Sequence, residues 1–239
     1  MRFKEKLSFA CIAVIITAFS LVGCKRHTPE GCVKRGVQKF NQGDYKGAIS
    51  DFSEAIRLDP KLASAYSWRG VARTKASDPD GAIADLTQAI ELKPDSAVPF
   101  VNRSLAWELK GQHDEAIKDA SEAIRLSPTN AEAYYNRGSS KGATRDFDGA
   151  IADLTEAIRL NPSDPQCYFN RAVSHARKNE YRIAISDLTE AIRLKPDYGK
   201  AYYFRAESRR WLGDTEGAIS DSNEVWRIDP KLYQQNSQR

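Results

Sequence analysis

The sequence predicts an all-α solenoid built from six consecutive helix pairs, each pair occupying 34 residues. Three observations predict it. Prolines stand at Pro60, Pro94, Pro128, Pro162, Pro196 and Pro230, at a constant interval of 34 residues. Small residues return at fixed offsets from every one of them, and the intervening apolar residues recur three and four places apart, the spacing of a single helix face. A period of this length marks a unit that cannot bury its own apolar stripe and has to stack on its neighbours.

With each proline placed at position 32, the repeats run 29–62, 63–96, 97–130, 131–164, 165–198 and 199–232, leaving 233–239 as a tail. In each repeat, positions 4, 7, 8 and 11 share one face of a first helix and positions 20, 23, 24 and 27 share one face of a second. The first repeat opens with Cys32 at position 4, where the next five carry Tyr66, Phe100, Tyr134, Tyr168 and Tyr202, aromatics that wedge between neighbours. Position 8 stays small, as Gly36, Gly70, Ser104, Gly138, Ala172 and Ala206, and position 20 is alanine from Ala48 to Ala218, so the two backbones can approach. The proline ends each second helix, because it has no N–H and restricts the residue before it. In the second repeat Asp78 precedes Pro79, an N-cap followed by a residue suited to the first helical turn. The third repeat departs at position 24, usually large, with Ala120. The sixth departs with Ser222 there and with Val225 at position 27, which is alanine in the other five.

The period, together with aromatic 4, small 8, alanine 20 and 27 and proline 32, resembles the tetratricopeptide repeat over residues 29 to 230. The resemblance implies a right-handed solenoid whose concave groove is lined mainly by the first helices, at positions 2, 5, 6, 9, 12 and 13. It implies a protein or peptide partner in that groove.

The chain begins differently. MRFKEK is short and basic, and Leu7 to Gly23 carries no charge, the pattern of an export signal over residues 1–23. The run ends in LVGC followed by KRHTPE, which resembles the lipobox of bacterial lipoproteins. That resemblance implies cleavage before Cys24, acylation of its sulfur, and a membrane tether joined to the first repeat by a linker of residues 24–28. Lys25 stands where an inner-membrane retention signal would have aspartate, so the resemblance points to the periplasmic face of the outer membrane. An uncleaved membrane helix and an ordinary signal peptide with an incidental cysteine are the alternative readings of the same run.

Composition agrees with an exported, folded chain, at 41% hydrophobic and 28% charged. The net charge of +4 falls to +2 once Arg2, Lys4, Glu5 and Lys6 leave. Such near balance gives no basic stripe for nucleic acid. Cys11 leaves with the signal, and the remaining Cys32 and Cys167 lie four repeats apart, where helices stacked about 10 Å apart exceed the roughly 7 Å Cα limit of a disulfide. Two free, buried thiols are expected.

Position 7 is arginine in all six repeats, Arg35, Arg69, Arg103, Arg137, Arg171 and Arg205, and position 23 is aspartate in all six, Asp51, Asp85, Asp119, Asp153, Asp187 and Asp221. Both sit on faces assigned to the core. A buried carboxylate needs a partner, and a guanidinium fork matches it, so a structural ion pair within a repeat or to its neighbour is expected. Six equivalent sites do not suit catalysis. His27, His113 and His175 are scattered without metal-ligand spacing, and no nucleophile elbow or phosphate-binding loop is present. The reading is a protein without catalysis, cofactor or metal.

The expected groove is apolar and becomes aromatic along the chain, with Val101, Leu105, Tyr135, Phe169, Val173 and Tyr203 among its residues. Position 5 side chains could serve as peptide anchors or pack on the next helix. Position 6 holds Asn102, Asn136 and Asn170, amides able to grip a peptide backbone or to bond locally on the helix surface. The residue set that resembles a chaperone-tail carboxylate clamp is missing. Trp211 and Trp226 in the last repeat offer an edge for a partner or a second copy, so the expected function is a lipid-anchored adaptor for envelope proteins, with self-assembly as the alternative.

Overall fold

A computed structural model describes residues 28–236. The expected signal of residues 1–23, the acylated Cys24, His27 and residues 237–239 of the tail lie outside the described residues. Among the described residues the chain is all helical, with α1 (Pro29–Asn41), α2 (Tyr45–Leu58), α3 (Ala63–Lys75), α4 (Pro79–Leu92), α5 (Ala97–Leu109), α6 (His113–Leu126) and α7 (Ala131–Ala143). These are followed by α8 (Phe147–Leu160), α9 (Pro165–Arg177), α10 (Tyr181–Leu194), α11 (Gly199–Trp211), α12 (Thr215–Ile228) and the short α13 (Pro230–Asn236). The helices form two compact units, one ending at Ala106 and one starting at Trp107.

Each helix pair closes through a three-residue turn whose middle residue is left-handed: Gly43, Ser77, Gly111, Arg145, Asn179 and Gly213 have φ between 62° and 81°. Glycine accepts that conformation freely, whereas Arg145, at φ 70°, holds it against steric cost. The third turn residue caps the second helix. Asp44, Asp78, Asp146 and Asp214 each accept a hydrogen bond from the N–H of the glycine three residues on, at 2.9–3.0 Å. Where that glycine is replaced, by Glu115 and Ile183, the capping position holds Gln112 and Glu180, and no side-chain cap forms.

Between the two helices of a pair, position 8 faces position 24. A Cβ at Gly70 would lie 2.6 Å from Leu86 Cγ, and one at Gly138 would lie 2.8 Å from Leu154 Cγ. The large side chain fills the space that the missing Cβ leaves, which is how these helices reach close contact. In the fifth repeat the small partner is Ala172, packed in one cluster with Leu188. Cys32 and Cys167 are free and buried, as expected. Burial, with help from Asp164, pushes the Cys167 thiol up to about 12, so it stays protonated and inert.

Candidate functional site

The recurring charges are structural. Arg137 donates through Nε and Nη2 to both carboxylate oxygens of Asp153, at 2.8 and 2.6 Å, from the first helix of a repeat to the second helix of the same repeat. Arg69 to Asp85, Arg171 to Asp187 and Arg205 to Asp221 repeat that fork, and Arg35 reaches one oxygen of Asp51 at 3.2 Å. The third guanidinium nitrogen crosses to the preceding repeat and meets a hydroxyl at its position 25: Ser53, Thr87, Ser121, Thr155 and Thr189 accept from Arg69, Arg103, Arg137, Arg171 and Arg205. The aromatic at position 4 lies 5.4–5.8 Å from the same guanidinium in those five repeats. Arg69, Arg137, Arg171 and Arg205 therefore each join two repeats, with all three guanidinium nitrogens engaged. The hydroxyl column was a signal open to sequence reading: position 25 is Ser or Thr in every repeat that has a successor and Asn223 in the last.

In the N-terminal unit the first-helix face is filled by its own side chains. Trp68 stacks on Phe52 with centroids 6.2 Å apart and meets Phe40 edge-on at 5.8 Å. Val101, expected as groove lining, is 3% exposed, because position 5 packs inward here. Leu105 is half-buried. Asn102 donates its amide to the Val98 carbonyl at 3.0 Å, the local helix bond that competes with ligand binding.

In the C-terminal unit the equivalent face is open. Beside Ser139, Gly142 and Ala143 the facing α9 leaves space, and a hollow of about 640 Å³ lies between α7, the α7–α8 turn and α9. Asn170, Val173 and Arg177 form its α9 side, and Arg145 and Phe147 form its turn side. Ser139 also donates to Glu108 at 2.6 Å, and burial raises the Glu108 carboxyl above its ordinary value, against the pull of Ser139 and His113.

The expected asparagine row is not a row. Asn136 is 2% exposed and cannot meet a ligand, while Asn170 lines the hollow and donates to the Tyr135 hydroxyl at 3.3 Å. Tyr135 in turn donates to Gln166 at 3.3 Å, and burial with the nearby Glu108 charge keeps its hydroxyl protonated. Phe169 packs on Phe204 and Tyr198, at 5.5 and 5.1 Å, so it serves the core more than the groove. Tyr203 is half-buried, edge-on to Phe204 at 5.5 Å. Asn170 and Val173 thus line the hollow, with Tyr135 bonded to its rim. Arg145 and Arg177 were not foreseen, since nothing in the period marks them.

Among the described residues no group of His, Cys, Asp and Glu has the arrangement of a metal site, and no helix is long and apolar enough to cross a membrane.

Family models described as TPR repeat match residues 36–77 and 109–142, and models described as Tetratricopeptide repeat match 135–181 and 169–233. No protein of curated function matches the chain by sequence. Among solved structures, PilW, described as a widely conserved type IV pilus biogenesis factor, superposes with a TM-score of 0.80 at 18% identity, over 88% of this chain and 98% of its own. The pilF protein of Pseudomonas aeruginosa gives 0.77 at 18% identity, over 88% and 96%. YrrB, described as a TPR protein with an unusual peptide-binding site, gives 0.63 at 19% identity, over 79% and 98%.

Proposed function

Starting from a chain that belongs to the tetratricopeptide-repeat proteins, we propose that it is an interaction adaptor whose C-terminal unit holds a segment of another protein against α7 and α9. The observation that carries this reading is the open hollow beside Asn170 and Val173, on a scaffold whose other recurring polar groups are already paired. An amide at the rim can bond a backbone, and Val173 supplies an apolar contact, the division of labour of a peptide groove. The described peptide-binding site of YrrB and the described pilus role of PilW are consistent with that class of work. No catalytic role is assigned.

The adaptor is tethered to the bacterial envelope through lipid on Cys24, on the strength of the LVGC sequence after an uncharged run. The outer membrane is the compartment that Lys25 favours. Two experiments test the reading. Affinity capture from detergent-solubilised envelopes should retain a protein on the wild-type chain and lose it on an Asn170→Ala, Val173→Asp double variant of equal helicity. Intact-mass analysis should show acyl mass on the wild type and none on Cys24→Ser; an unmodified wild-type chain would sink the tether.

A second reading has its own observation. Positions 21 and 28 of a second helix are half-buried isoleucines in the first five repeats, whereas Ile219 and Trp226 at those positions of the sixth are 57% and 60% exposed. Trp211, stacked on Tyr181 at 5.7 Å, is 71% exposed in the same repeat. Self-association through this end would appear as a concentration-dependent sedimentation coefficient that Trp226→Ala abolishes.

A further inference from the structure

We propose that the hollow between α7 and α9 selects an aspartate or glutamate side chain of an extended segment, and that Arg145 and Arg177 read it. This rests on the groove reading above and adds the chemistry of what enters.

The first argument is which charges remain unspent. Arginines in this fold are almost all engaged, in the forks to aspartate or in pairs three residues apart such as Arg159 with Glu156 and Arg193 with Glu190. Among the described residues, only Arg145, Arg177 and Arg182 have side chains with no ion pair, hydrogen bond or ring contact. Two of those three line this one hollow. The nearby acids are occupied: Asp146 caps α8 through the Gly149 N–H, Asp148 pairs with Lys178, and Glu180 pairs with His175 at 2.6 Å. Glu108 accepts the Ser139 hydroxyl.

The second argument is local backbone. The left-handed turn residue is glycine in three repeats, asparagine in one and serine in one; only here is it a long cationic side chain. That strained conformation sets a cationic side chain on the lining of the hollow. Asn170 adds a neutral amide to the same lining, and a Cβ at Gly142 would meet nothing closer than 3.7 Å. A carboxylate is the ligand group that a planar guanidinium matches with two parallel bonds. The hollow lies between α7 and α9, the helices on which the groove reading places an extended segment. That favours an internal acidic side chain over a terminal carboxylate.

The test uses the full-length chain in a non-ionic detergent and three pools of acetylated, amidated nine-residue peptides with random flanks, whose central residue is Glu, Gln or Lys. Wild type should retain the Glu pool about ten-fold over the Gln pool, two screened ion pairs each contributing a few-fold, and should exclude the Lys pool. Arg145→Gln with Arg177→Gln should bring Glu and Gln to equal retention without losing the Gln pool, and Arg182→Gln should leave the selectivity as in wild type. Equal retention of Glu and Gln by wild type, or a preference that survives in the double variant, overturns the inference and leaves the groove standing. Retention of no pool overturns the groove reading, and this inference with it. Circular dichroism of each variant guards against loss of fold, and the exposed positions of both arginines make that loss unexpected.

Discussion

The two units put the same helix pairs to different use on the first-helix side. In the N-terminal unit Phe40, Phe52 and Trp68 close the space with aromatic contacts of 5.8 and 6.2 Å. In the C-terminal unit Ser139, Gly142 and Ala143 leave it open as a hollow of about 640 Å³. The difference shows that the repeat frame and the binding surface are separable. The frame is carried by positions 7, 8, 20, 23 and 27, which barely change, and the surface by positions 6, 9, 12 and 13, which are free to vary in size.

The largest effect expected on this contrast concerns the frame. Asp153, with its guanidinium fork, is 5% exposed, and removing it strands a half-buried Arg137, so Asp153→Ala should cost about 3 kcal/mol in urea unfolding. Asp51→Ala should cost about 1–2 kcal/mol, since its partners Arg35 and Lys39 are 38% and 39% exposed and Arg35 reaches one of its oxygens in place of a fork. Equal losses would mean that the terminal and internal frames do not differ.

Next comes the plug of the N-terminal unit. Trp68→Ala removes a half-buried indole and should destabilise by about 2–4 kcal/mol, at the lower end of core truncations. It should also let that unit bind a hydrophobic dye it otherwise excludes. Destabilisation without dye uptake would show that the unit collapses instead of opening.

A smaller effect lies beneath the hollow. Burial raises the Glu108 carboxyl above its ordinary value, so the folded state holds the proton more tightly than the unfolded chain, and stability falls as pH rises from that ordinary value through the raised one. Glu108→Gln keeps an acceptor for Ser139 and removes the charge. It should raise stability near neutral pH and flatten the fall of Tm that sets in above the ordinary carboxylate value. An unchanged pH profile would show that Glu108 is not the group responsible.

The smallest expected effect is at Gly142. A Cβ there would meet only Ser174 Oγ at 3.7 Å and Ala150 Cβ at 3.8 Å, which is ordinary contact. Gly142→Ala should therefore stabilise α7 by about 0.5–1 kcal/mol through lower chain entropy in the unfolded state. Peptide retention should weaken if the open floor matters, and an unchanged retention would move the ligand away from it.

Much of this molecule was legible in the sequence because a 34-residue period samples each position six times. Helix faces, turn positions, the Asp78 cap and the pairing of buried arginine with aspartate all follow from columns of one residue type. The aspartate capping with glycine three residues later, and the hydroxyl at position 25, were equally visible as columns; each needs two positions read together, because one residue type there is meaningful only with its partner. The asparagines show where column reading fails. Asn102, Asn136 and Asn170 share a position, yet one bonds its own helix, one is buried and one reaches the hollow. Their fates are set by neighbours about 34 residues away, Tyr135 for Asn170 among them, whose bulk differs from repeat to repeat.

By itself, then, the sequence determined the all-helical repeat, its caps and turns, and the identity of its buried charges, because these depend on spacing along one helix and on the cost of leaving a charge unpaired. Tertiary structure alone decided that an arginine such as Arg137 forks to its own repeat while reaching back to the one before, and that the space beside α7 stays open with two unpaired arginines on its lining. The physical reason is volume. Whether a side chain lines a groove or fills it depends on what the next repeat places opposite, and that quantity belongs to packed pairs of helices and not to any single one.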